Sequence, residues 1–176
     1  MSSARRFAVT PPDLRLPWLI VVAVVLICVG ALALGWRELQ GSPALWLTLA
    51  VTVLAPALLM VALFRRQVVL EDGTLRIVAG INQTRVPVDA LQVDEARIVD
   101  LDANKEYRLG IKSFGTSMPG YHAGHFRQVG GRKVFALVTD KRRVLVLPER
   151  DGRLLMLSLE KPQALLDALP APTQQR

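Results

Sequence analysis

The chain has 176 residues, with 22 Lys and Arg against 15 Asp and Glu, a formal charge of +7, a pI near 10.3 and 51% apolar residues. Its single cysteine, Cys28, excludes an intramolecular disulfide and a cysteine-based metal site. Once two long apolar runs are set aside, roughly 110 residues are left, enough to build one hydrophobic core.

Residues 1–16 carry Arg5, Arg6 and Arg15 and are expected to form a cytoplasmic N-terminal segment. Pro17 to Trp36 and Pro43 to Phe64 contain no charged residue and are separated only by Arg37 to Ser42. Bilayer hydrocarbon of about 30 Å needs roughly 20 apolar residues at the helical rise, so the pair predicts a membrane α-hairpin of two transmembrane helices, 17–36 and 43–64. Residues 37–42 would be the periplasmic, extracytoplasmic turn. Trp18, Trp36 and Trp46 sit near the run ends, and the basic flanks, including Arg65 and Arg66, place both termini in the cytoplasm. The expected location is the bacterial inner (cytoplasmic) membrane, as a multi-pass protein. A signal peptide cleaved near Ala31-Leu32-Ala33 is the alternative for the first run. The runs hold no ionisable side chain at depth, which argues against transport. Pro56 should disturb the second helix, with Thr52 one turn earlier placed to help satisfy the freed backbone.

After Arg66 the pattern shortens and alternates. Val68 to Leu70 and Leu75 to Val78 flank Asp72-Gly73, which predicts a tight β-hairpin. Asn82 to Val88 reads as a third strand, with Thr84, Val86 and Val88 on one face, and a fourth runs through Ala96 to Val99. Asp100 to Glu106 is polar and expected to be a loop. Tyr107 to Phe114 alternates with the period of a half-buried strand, and Gly115 to Phe126 (GTSMPGYHAGHF) then breaks every period. Three strands follow, at Val134 to Thr139, Arg143 to Leu147 and Leu154 to Leu157. One helix should start near Pro162 and stop before Pro170, and residues 170–176 should form a flexible tail. About seven strands and one helix in about 100 residues predict an all-β bent barrel or sandwich over 67–169, capped by the C-terminal helix.

Charge divides within this region. Residues 67–104 carry three arginines against seven acids, whereas 105–153 carry eleven basic residues against four acids.

The Asp-Gly hairpin, the segment from Gly115 to Phe126, the Gly130-Gly131-Arg132-Lys133 turn and the closing Glu160-Lys161-Pro162 helix resemble the bacterial pleckstrin-homology-like domains, from about Val68 to Leu169. The resemblance implies a seven-stranded bent barrel with a C-terminal helix and supplies no catalytic residue. The first hairpin here is acidic, Glu71-Asp72-Gly73-Thr74, which would repel phosphates and disfavours inositide recognition.

The glycine-rich stretch is the leading candidate site. Gly115, Thr116, Pro119, Gly120 and Gly124 would allow a partner's backbone to approach closely, and Tyr121 would be an amphipathic anchor, with Arg108 and Arg132 in support. The same glycines could instead form a structural corner plugged by Tyr121 and Phe126. Lys141, Arg142 and Arg143, with Arg132-Lys133, could meet anionic lipid headgroups. His122 and His125 make a weak metal pair without a third ligand, and Ser113 and Ser117 lack the context of a serine nucleophile. Few aromatics are available to stack bases, so nucleic acid is not expected. The expected activity is therefore non-enzymatic: a membrane-anchored module at the cytoplasmic face that binds an unidentified protein or a second copy of itself, with no cofactor, metal or small-molecule substrate. Peripheral sensing of anionic lipid and an unrecognised membrane enzyme are the alternatives.

Overall fold

The computed structural model describes residues 4–13, 15–39, 43–128 and 130–169. It divides into two compact units, Leu14–Phe64 and Met1–Asp13 with Arg65–Arg176. The expected tail at 170–176, and residues 40–42 of the expected turn, lie outside the described residues.

The first unit is helical, with α1 (Arg15–Leu39) and α2 (Pro43–Phe64) touching one another. Among the described residues no helix is long and apolar enough to cross a membrane. The expected transmembrane hairpin, and with it the multi-pass inner-membrane location, the membrane anchor and the cytoplasmic termini, is corrected by this finding. Pro56 lies inside α2, and the Thr52 hydroxyl donates to the Thr48 carbonyl at 2.8 Å.

The second unit holds two sheets. β1 (Arg5–Phe7), β2 (Arg66–Glu71), β3 (Thr74–Ala79) and β4 (Asn82–Pro87) form an antiparallel sheet in that order. Asp72 and Gly73 both have positive φ, 48° and 67°, as a two-residue turn matched to the twist of the flanking strands requires. The larger sheet contains β5 (Arg97–Val99), β6 (Ile111–Met118), β7 (Tyr121–Arg127), β8 (Lys133–Val138), β9 (Val144–Pro148) and β10 (Leu154–Ser158), in the order β5-β9-β10-β8-β7-β6. Its pairs are antiparallel except β8 with β10. A final helix, α3 (Pro162–Ala168), has Pro162 in its first turn and buries Leu165.

Ten strands are therefore described, against the eight strand segments read along the sequence and summed as about seven. One addition is β1. The other is in the glycine-rich stretch, which is no loop: residues 111–127 form the β6–β7 hairpin, turned by Pro119-Gly120 with Gly120 at φ 75°. Where a strand was expected to start at Tyr107, Lys105–Tyr107 is a 3-10 helix. Gly115 and Gly124 sit opposite each other at φ 142° and 124°, and a Cβ on either would strike the carbonyl oxygen of the facing strand. These glycines mark a close approach of two strands, so the residue type that usually signals a loop here permits a sheet.

Strands β8, β9 and β10 are buried on both faces, which explains their continuous apolar sequences. One face carries Phe126, Val134, Ala136, Val138, Val144, Val146, Leu154 and Met156, and is covered by Val99, Leu101, Tyr107 and Leu109. The alternate residues Leu137, Leu145, Leu147, Leu155 and Leu157 are equally buried, as are Val68, Leu75, Ile77 and Val86 of the smaller sheet. Each such side chain contributes about 1.5–3 kcal/mol relative to exposure.

The N-terminal arm joins the two sheets. Phe7 pairs with Val68, and Val9 then bridges Leu159 beyond the end of β10. The Thr10 amide donates to the Ser158 carbonyl at 3.1 Å, and the Glu160 amide to the Ala8 carbonyl at 3.0 Å. The Thr139 hydroxyl donates to the Thr10 carbonyl at 2.6 Å. Buried Ser158 secures the same corner, accepting from the Thr139 and Asp140 amides and donating to the Asp140 carbonyl.

Candidate functional site

Strand β6 forms one edge of the larger sheet, paired on one side to β7. Ile111 is 79% exposed and Phe114 61% exposed, although aromatic and β-branched side chains on a strand usually pack against a neighbour. The register slips between Lys112 and Phe114, and from Phe114 to Met118 the strand is regular and uncharged. Such an edge presents unpaired backbone donors and acceptors to an incoming chain. Lys112 and the bulge beside it protect only the first part of the strand.

The expected site residues fall in several places. Gly115 and Thr116 are half-buried within β6, Pro119 is exposed at the hairpin turn, and Gly124 is buried in β7. Tyr121, expected as an amphipathic anchor or as the plug of a structural corner, is fully buried. It opens β7 on a buried face of the sheet, and its hydroxyl pKa is raised by burial, with the Arg66 charge opposing. Arg66, Ala79 and Asn82 lie in register across β2, β3 and β4. Among the described residues, Arg66 Nη1 and Asn82 Nδ2 are buried without a hydrogen-bond partner.

Two clefts hold the basic candidates. The larger, about 560 Å³, is bordered by Thr84 of β4, Ser113 of β6, His125 and Arg127 of β7, Arg132 and Lys133 at the start of β8, and Glu149, Asp151 and Arg153 around the β9–β10 turn. Arg153 bridges both carboxylates, to Glu149 at 3.0 Å and Asp151 at 2.6 Å. Burial raises the Glu149 pKa against the pull of Arg153, whereas the Asp151 carboxyl is lowered chiefly by the hydrogen bond from the Arg153 amide. The smaller cleft, about 370 Å³, includes Asp102, Lys105, Arg108, His122 and Lys141. Lys141 is ion-paired with Asp102 at 3.7 Å, and the Arg142 amide is bound by the Asp140 carboxylate. Arg132 precedes β8 and Lys141 to Arg143 follow it, so the strand's six residues hold them roughly 20 Å apart. They form two basic regions instead of one patch.

His122 and His125, three apart on a strand, point to opposite faces. His122 Nδ1 lies 2.9 Å from Ser117 Oγ, and the His125 ring meets Phe135 edge-on at 5.0 Å. Both have lowered pKa values, first from burial and then from Lys141 and Arg153 respectively. Among the described residues no group of three or more His, Cys, Asp or Glu could hold a metal ion.

A family model described as a bacterial PH domain matches residues 66–171. The chain belongs to that family. Neither a curated protein nor a solved structure matches it. PH domains are generally non-catalytic modules for protein or lipid interaction, and this bacterial PH domain is an interaction module in that coarse sense. The match begins at Arg66, so β1, which borders β2 and stitches the two sheets, lies outside it.

Arg127, Glu149 and Arg153 were not among the sequence candidates. Their common cleft is formed by residues from separate strands and turns, which no local spacing reveals. The exposed apolar pair Ile111 and Phe114 was also missed, because the alternation that marks a strand does not say whether it lies at an edge.

Proposed function

We propose that this bacterial PH domain binds an extended segment of a protein partner, which includes the case of a second copy of itself, by strand addition along the free edge of β6. The observation that carries the proposal is the edge from Phe114 to Met118, uncharged and regular in register, with Phe114 exposed beside it. Backbone hydrogen bonds would give affinity and Phe114 would supply an apolar contact. Thr116 lies within this edge and Gly115 allows the underlying hairpin to close, while Pro119-Gly120 sets its end; Tyr121 acts from below by packing. The basic turn at Lys141, Arg142 and Arg143 supports lipid contact less well, because Lys141 has an acidic partner.

The test is sedimentation of the full chain together with in-cell crosslinking, comparing it with the Ile111→Lys/Phe114→Lys variant. Both side chains are exposed, so the variant should melt like the parent while losing self-association or its crosslinked partner. Unchanged association and crosslinks in a folded variant would remove β6 as the docking edge.

A further inference from the structure

Arg127 and Lys133 are directly paired across β7 and β8, and Arg132 adjoins them in the connecting turn. Like charges placed opposite each other destabilise a sheet. None of the three makes a close ion pair among the described residues, although the Lys133 charge helps to hold the Asp151 carboxyl low. A second such pair, Arg76 opposite Arg85, has both side chains exposed, and Gln83 contacts the Arg76 guanidinium. Arg127 and Lys133 are exposed as well, and differ in lining a cleft of about 560 Å³ that also includes the Glu149–Arg153–Asp151 cluster, at the start of β10 beside the start of β8.

The cleft is thus electrically divided. Its β7–β8 wall carries three cations, while Arg153 leaves its two carboxylates one negative charge in excess. We infer that this cleft binds an acidic polypeptide segment, whose carboxylates lie on Arg127, Arg132 and Lys133 while its backbone crosses the opening. Successive single charges can spread along the cationic wall. For a compact dianion such as phosphate the doubled charge scales attraction and repulsion alike, so it is the spread of the cations over two strands and their turn that favours an extended ligand. The cleft takes Ser113 of β6 into its border but neither Ile111 nor Phe114, so the assignment does not rest on strand addition at that edge.

The experiment uses the full chain and a fluorescently labelled oligoglutamate peptide, read by polarisation. Arg127→Gln/Lys133→Gln should raise the Kd about tenfold or more, whereas Arg142→Gln/Arg143→Gln, with the same loss of charge at the other end of β8, should leave it within about twofold. Equal weakening by both variants would show attraction to net charge alone and overturn the site, as would absence of binding by the parent. Displacement of the peptide by equimolar inorganic phosphate, or preference for vesicles of anionic lipid over the peptide, would overturn the carboxylate assignment. Melting supplies a check independent of the ligand: Arg127→Gln alone, which relieves the cross-strand repulsion and leaves Lys133 beside Asp151, should maintain or raise Tm. A fall in Tm would show that Arg127 has a partner within the fold and would contradict the proposal.

Discussion

Two of the β-hairpins of this domain have two-residue turns and opposite surroundings. β2–β3 turns at Asp72-Gly73 and has a strand on each side, β1 and β4. β6–β7 turns at Pro119-Gly120, is paired through β7 to β8, and leaves β6 open. In the first hairpin the special backbone is confined to a tip in open space. In the second it lies within the strands, where Gly115 and Gly124 meet. A hairpin that needs glycine along its length tolerates substitution badly in the middle, yet leaves its outer edge available.

That contrast can be broken most forcefully at Tyr121. Tyr121→Ala should cost about 3–5 kcal/mol in chemical denaturation, the range for emptying a buried aromatic site. A near-neutral result would mean that the side chain is dispensable to the fold. Gly124→Ala comes next, at roughly 2–4 kcal/mol, because strain at positive φ adds to a collision with the Phe114 carbonyl. The matching change in the first hairpin, Gly73→Ala, has open space and only the backbone penalty, about 1 kcal/mol. Equal losses at 73 and 124 would abolish the distinction between the hairpins.

Acid should separate the hairpins more gently. His122 and His125 belong to β7, and both have folded pKa values lowered from 6.5. The unfolded chain therefore binds protons more readily. The stability contributed by the neutral rings is present above pH 6.5 and is lost as pH falls through the lowered folded values. Hydrogen exchange followed over falling pH should show protection lost in β6–β7 before β2–β3, and simultaneous loss would contradict this account. Smallest of all, Phe114→Lys should shift stability by no more than about 0.5 kcal/mol, since the ring is exposed.

The same contrast explains what could be read from the sequence. Asp72-Gly73 between alternating strands is a local signal, as is Pro162 at the start of α3, and both elements are where those signals put them. The apolar strands after Val134 were equally evident. The β6–β7 hairpin was hidden because its two glycines answer to each other across strands, a relation between positions nine apart that resembles a loop along the chain. β1 was hidden for a related reason: Arg5-Arg6-Phe7 finds its partner more than 60 residues later, and its arginines were read as a topological flank. For the candidate site, Gly115 and Thr116 were named for the close approach of a partner's backbone to a loop but belong to the edge strand. Tyr121 was named as an anchor because sequence alone cannot distinguish a buried tyrosine from an exposed one.

The most direct test of the central claim is in-cell photo-crosslinking of the full chain from position 114, with exposed position 94 as control. Strand addition at β6 predicts a discrete protein adduct from 114, absent from 94, that disappears when Ile111→Lys is introduced. Lipid adducts alone, or no adduct from a folded chain, would contradict it.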